Sequence, residues 1–261
     1  MTRWRSTASL LSLSQCITFP ISSHLKNVLP CCPKYIFALS SLDHLIDTDK
    51  AQIPSNRWTS LTHRRLQAHP SQLTKNQTLL AAPLPKWLSD QPAPILTRFG
   101  SLGVFQGCSA EDGNQPLPNH VLVNEYLPGQ GIMPHEDGSA YWPVVATVSL
   151  GASLVLDLYE KKEDEEAFAS KKQPRYRIFQ EPGSLLVTRG SAYDSMLHGI
   201  DGVEVDENLG PMTIANWELL SDKKAVESGQ NGRETRISLT YRVVRKVSKV
   251  NMAMLGIGGK R

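Results

Sequence analysis

Hydrophobic and polar positions change their rhythm near residue 119. Beyond it, short β-branched runs recur at 120–127 (HVLVNEYL), 143–151 (PVVATVSLG), 154–160 (LVLDLYE), 175–180 (RYRIFQ), 184–190 (SLLVTRG) and 236–244 (RISLTYRVV). Turn residues separate most of them, the pattern of an all-β barrel or sandwich. The last run alternates: Arg236, Ser238, Thr240 and Arg242 fall on one phase, Ile237, Leu239 and Tyr241 on the other. Successive side chains on a strand point to opposite faces, so this run predicts a strand with one polar and one apolar face. Residues 43–100 read instead as mixed helix and loop between prolines. Two connections read as long loops: 160–174, which opens on the charge run Glu160 to Glu166, and the polar, Gly-containing 201–233.

These textures divide the chain into an atypical extension (1–42), an N-terminal lid or support segment (43–117), a β core (118–250) and a C-terminal tail (251–261). A 40% hydrophobic content in 261 residues is enough for a buried core, and 17 prolines with 18 glycines favour short strands over long helices. The net charge of +3 is too small to indicate a partner. Its distribution says more, because seven cations and no acid lie between Arg236 and Arg261. That is either a solvated basic tail or a surface that meets phosphates. The first 42 residues are serine-rich and basic with no acid before Asp43, which fits a transit peptide in outline. Pro20, Pro30 and Pro33 break any long helix there, so a disordered extension or wrongly assigned coding sequence fits as well. Cys16, Cys31, Cys32 and Cys108 form neither a zinc pattern nor a disulfide framework. A reducing compartment follows, nucleus or cytoplasm, with a mitochondrial location left open by the N-terminal composition. No run approaches 18 apolar residues, so no transmembrane helix is expected.

The candidate chemistry begins at His135-Glu136-Asp137. On an extended chain, imidazole and carboxylate two residues apart share a face and converge, as two metal ligands must. Of the seven histidines, at 24, 44, 63, 69, 120, 135 and 198, His198 is the best third ligand, since Gly199 beside it permits a close approach. Two His and one Asp on one side of a metal leave three positions open, the facial triad of non-haem Fe(II) oxygenases, although His₂Asp zinc is also chemically possible. Arg236 and Arg242 share a strand face and could bracket a small dicarboxylate, because a guanidinium matches a carboxylate in a two-bond fork. Asn124 and Tyr126, also two apart, offer an amide and a phenol.

N-x-Y, H-x-D, a later His and R-x₅-R, in that order, resemble the AlkB family of Fe(II)- and 2-oxoglutarate-dependent dioxygenases. The stretches PNHVLVNEYLPGQGIMPHEDG (118–138), MLHGI and RISLTYRVVRKV look closest to its alkB homologue six group. The resemblance covers residues 55 to 250 in outline and leaves out 1–42. It implies a mostly β protein, a double-stranded β-helix or jelly roll with N-terminal helical and loop lid elements. It also implies that His135, Asp137 and His198 hold iron and that Asn124, Tyr126, Arg236 and Arg242 hold 2-oxoglutarate. Arg236 would meet the distal carboxylate and Arg242 the one beside the keto group, with O₂ taking the last open position. The implied reaction is oxidative demethylation of alkylated bases in single-stranded or base-flipped nucleic acid, releasing succinate, CO₂ and formaldehyde. Candidates for contact with that partner are Arg64 and Arg65, Lys161, Lys162, Lys171 and Lys172, with Tyr141, Trp142 or Tyr193 for stacking. The alternatives are a protein hydroxylase or demethylase of the same superfamily, and a nucleic-acid or partner-binding protein with little turnover.

Overall fold

The computed structural model describes residues 36–38, 53–90, 94–106, 117–161 and 173–248. The expected C-terminal tail, all of the N-terminal extension except Ile36–Ala38, and Lys162, Lys171 and Lys172 lie outside them. The strands are, in chain order, β1 (Ile36–Ala38), β2 (Thr59–Leu61), β3 (Arg64–His69), β4 (Leu79–Leu80) and β5 (His120–Tyr126). There follow β6 (Ile132–His135), β7 (Tyr141–Gly151), β8 (Leu154–Glu160), β9 (Tyr176–Gln180) and β10 (Ser184–Arg189). The last are β11 (Met196–Ile200), β12 (Val205–Asp206), β13 (Asn231–Gly232), β14 (Arg236–Val244) and β15 (Val247–Ser248). A seven-stranded sheet runs β1-β10-β7-β14-β5-β3-β2, and a four-stranded sheet runs β6-β11-β8-β9. All pairings within both sheets are antiparallel. The inner faces meet through Tyr126 and Leu186 on one side and Leu154, Leu156, Leu158 and Met196 on the other. This is the jelly roll that the motifs imply.

β14 lies between β7 and β5 in the large sheet, and all nine of its residues are buried. Burying a row that contains two arginines works because the two phases of the strand go to different places. Ile237, Leu239, Tyr241 and Val243 join an apolar layer with Trp87, Leu88, Ile95 and Phe99 from the helical segments Lys86–Ser89 and Ile95–Ser101. Tyr241 is fully buried, donates its hydroxyl to Leu88 O at 3.1 Å and meets Phe99 edge-on at 5.0 Å. Each such side chain stabilises the fold by about 1.5–3 kcal/mol. The other phase, Arg236, Ser238, Thr240 and Arg242, faces the cavity between the sheets.

Two stretches differ from their sequence pattern. Part of the segment read as helix and loop is a hairpin, β2–β3, that extends the large sheet through β3–β5 pairing. Its polar residues hide it: Gln67 and His69 are buried but satisfied, with Gln67 donating to Pro54 O at 2.7 Å and His69 joined to Gln67 and Arg57. The 201–233 connection is long but ordered, with β12 paired to β13. It covers the outer face of the small sheet, where Leu209, Ile214, Leu220 and Val226 pack on Val155 and Phe179. Asn216 closes the β9 edge by accepting from Phe179 N–H at 2.9 Å and donating to Phe179 O at 2.8 Å. Among the described residues no helix is long and apolar enough to cross a membrane.

Candidate active site

His135 on β6 and His198 on β11 are direct partners across an antiparallel pair, and their rings lie 4.3 Å apart. Side chains at opposed positions start only about 4.5–5.5 Å apart at Cβ, so strand register alone brings the two imidazoles together. Close approach of the strands depends on Gly199, where an added Cβ would lie 3.0 Å from Pro134 N. Asp137 lies two residues beyond the end of β6. One ligand atom from each of His135, Asp137 and His198 falls within 4.8 Å of the others, close enough to share one ion.

The electrostatics suit a cation. Burial pushes the His198 imidazolium down to about 4 and lowers His135 as well, so both rings are neutral near pH 7. His135 Nδ1 lies 2.9 Å from Met133 O. A carbonyl only accepts, so Nδ1 carries the proton and Nε2 offers its lone pair. Burial is the largest single influence on Asp137 and would raise it, but the adjacent Arg242 guanidinium together with His198 and His135 holds the carboxyl below its ordinary range. Arg242 Nη2 bonds Asp137 Oδ1, while Arg242 Nε and Nη1 are buried without a partner. Arg236 is more enclosed: Nη2 donates to Ser149 Oγ at 2.9 Å and Gln180 Oε1 at 2.7 Å, and Nε has no partner. No carboxylate pairs with it among the described residues, and burial pulls its guanidinium down to about 10. Asn124 and Tyr126 line the same cavity, opposite Ser238 and Arg236 in the β5–β14 register.

A dication fits the neutral His₂ plus carboxylate donor set. A dicarboxylate fits two guanidinia whose buried N–H groups lack acceptors, since a buried donor left unpaired is costly. The sequence matches the family model for the 2OG-Fe(II) oxygenase superfamily over residues 44–242. The chain belongs to that superfamily. The superfamily implies Fe(II) and 2-oxoglutarate, which are the two groups the cavity's residues suit.

Among relatives of this oxygenase, a Danio rerio protein named "Probable RNA/DNA demethylase ALKBH6" is 37% identical over 76% of this chain and 79% of its own. A Xenopus tropicalis protein named "tRNA (carboxymethyluridine(34)-5-O)-methyltransferase alkbh8" is 29% identical over 71% of this chain and 27% of its own. The solved structure of OsALKBH1 aligns with 80% of this chain and 96% of its own at a TM-score of 0.46 and 16% identity. The AlkB resemblance carried by the motifs is borne out, and the oxygenase is an oxidoreductase of AlkB type.

The basic and aromatic candidates separate in the structure. Arg64 lines the cavity. Its neighbour Arg65 belongs to the other phase of β3, pairs with Glu125 at 2.6 Å and lies 4.5 Å over the Trp58 ring. Tyr141 is not among the cavity-lining residues; it stacks on His120 at 5.8 Å, with the Arg242 guanidinium 5.1 Å from its ring. Trp142 packs against the apolar layer. Tyr193 donates to Gly138 O at 3.2 Å, and Lys161 joins Glu136 at 2.5 Å to Asp194 O at 2.7 Å. Both contacts tie the His135–Gly138 segment to the turn that leads into β11. Sequence reasoning missed Ser149 and Gln180, which hold Arg236. The signal was faint: Thr147 and Ser149 are two apart inside the otherwise apolar VVATVSLG and therefore share a face.

Proposed function

We propose that this AlkB-type oxygenase oxidatively demethylates alkylated bases in nucleic acid, presented single-stranded or flipped from a duplex. In this reading His135, Asp137 and His198 would hold Fe(II), three protein ligands being too few to saturate it. Arg236, enclosed and without an acid, takes the distal carboxylate of 2-oxoglutarate. Arg242 keeps one nitrogen on Asp137 and turns its two unpartnered donors toward the carboxylate beside the keto group. Asn124 and Tyr126 orient the co-substrate from β5. When bound, iron and 2-oxoglutarate would supply the oxidation: 2-oxoglutarate would be split to succinate and CO₂, one atom of O₂ entering the succinate and the other hydroxylating the N-methyl carbon, which would leave as formaldehyde. Leu122, Leu186 and Ile200 supply apolar wall to the same cavity.

The observation that carries the reading is the pairing of a His-Asp-His cluster with two buried arginines that retain unsatisfied donors. The zebrafish relative's name supports nucleic acid as the substrate class. The test is an anaerobic titration with Fe(II) and 2-oxoglutarate, followed by the visible metal-to-ligand charge-transfer band. A saturable band that Asp137→Ala lacks supports the site, and formaldehyde released from a methylated single-stranded oligonucleotide supports the substrate class. A folded wild-type protein with no band overturns the assignment.

A further inference from the structure

The charged side chains lining the cavity are Arg64, Arg236, Arg242 and Asp137. Three cations against one anion leave a surplus of two positive charges. An Fe(II) dication and a 2-oxoglutarate dianion cancel one another, so the loaded site keeps that surplus. Arg236 and Arg242 both have assignments from β14. Arg64 has none. No hydrogen bond or ion pair engages its side chain among the described residues, and its Nε is buried without a partner. Arg65, by contrast, is fully engaged with Glu125 and Trp58.

The position of Arg64 is fixed by the fold. Arg65 pairs with Glu125 across β3–β5, which places Arg64 beside Tyr126, where β5 ends. The preceding residue, His63, accepts a backbone bond from Gly131 N at 3.2 Å. The hairpin is thereby tied to the segment that runs into β6 and His135. Arg64 lines the same cavity as Tyr126, its cross-strand neighbour, and His135.

We propose that Arg64 is the receptor for the phosphate that flanks the base being oxidised. This rests on the nucleic-acid reading above and narrows it: the substrate is a nucleotide that carries a phosphate, and a free nucleoside is a poor one. An N-alkylated base is neutral or cationic, so in a nucleic acid only the phosphate supplies the negative charge the loaded cavity lacks. A guanidinium matches phosphate oxygens with a two-bond fork. Half-buried at the start of β3, Arg64 borders the cavity yet keeps part of its side chain in solvent, which suits a phosphate that stays outside while the base enters.

The experiment measures binding of a labelled single-stranded oligonucleotide with one methylated base to the full chain loaded with Mn(II) and 2-oxoglutarate. Salt is varied from about 50 to 200 mM, where each phosphate contact adds about 0.7 to the slope of log affinity against log salt. Arg64→Gln lowers the slope by about 0.7, one contact, and Arg64→Lys restores it. In the same Arg64→Gln protein the anaerobic Fe(II)·2-oxoglutarate band keeps its midpoint, which also shows that the variant is folded. A wild-type slope retained in Arg64→Gln overturns the role of Arg64 and leaves the nucleic-acid reading standing. A midpoint shifted as far as in Arg236→Gln overturns it too, because Arg64 is then a co-substrate residue. A wild type whose binding is absent or insensitive to salt overturns both proposals together.

Discussion

Asp137 and Arg242, 105 residues apart in the chain, form a buried ion pair inside the cavity. The carboxylate proposed for the metal and the guanidinium proposed for the co-substrate are therefore one electrostatic unit. Arg242→Gln is expected to weaken both ligands, with Fe(II) affinity falling about 10- to 100-fold, the usual effect of losing a group that holds a metal ligand. Arg236→Gln is expected to weaken 2-oxoglutarate alone, since Arg236 bonds Ser149 and Gln180 and none of the three metal-facing residues. Separate titrations of metal and of co-substrate distinguish the two outcomes.

The enclosed Arg236 also predicts how 2-oxoglutarate acts on stability. A ligand at 100 times its Kd adds about 2.7 kcal/mol to the stability of the state it binds. Wild-type protein loaded with Mn(II) is expected to show a rise in Tm on adding 2-oxoglutarate, and Arg236→Met is expected to show none. Differential scanning fluorimetry reads this without any substrate.

Gly131 has no room for a side chain, since an added Cβ would lie 2.1 Å from Ile200 O. Gly131→Ala must push β6 away from β11 at the end where Ile132 pairs with Ile200. The expected cost is about 1–3 kcal/mol, as for other overpacked sites, together with weaker metal binding as the two histidines separate. Urea unfolding and a metal titration on one preparation test both parts.

Tyr241→Phe provides the contrast on the opposite face of β14. It removes the hydroxyl bond to Leu88 O and leaves that carbonyl short of a donor, at about 1 kcal/mol. Co-substrate affinity is expected to stay at the wild-type value.

Acid should loosen the fold before it protonates most carboxylates. His69 and His120 are buried, and burial lowers each to about 4. The unfolded chain, with histidines near 6.5, binds more protons than the native one between those values, so stability rises with pH across that window and is lost as pH falls through it. Asp157, raised by burial to about 6, opposes this, but it is one group against two. Tm is expected to be flat above about pH 7 and to fall toward pH 5, with a shallower fall in His120→Gln.

The strands that bury one face under the helices were legible because hydropathy alternates along them, β14 above all. The strands carrying His135 and His198 were not. β6 has four residues, includes Pro134 and lies at a sheet edge, and β11 has five residues with a central glycine-flanked histidine. Strands this short carry too few positions for a period to show. β3 was hidden by satisfied polar groups in buried positions. The apolar residues of 201–233 follow no period because they pack from an irregular chain. The residue types of the site could be read in the sequence, whereas Ser149, Gln180 and the lone position of Arg64 are properties of the folded cavity.

The two phases of β14 make chemistry and architecture share one backbone. A one-residue slip of Arg236–Val244 against its neighbours would turn guanidinia into the helix-facing layer and aliphatic groups into the cavity, so both would fail at once. Along this strand, then, no change of register can retune the cavity without also unpacking the helical segments behind it.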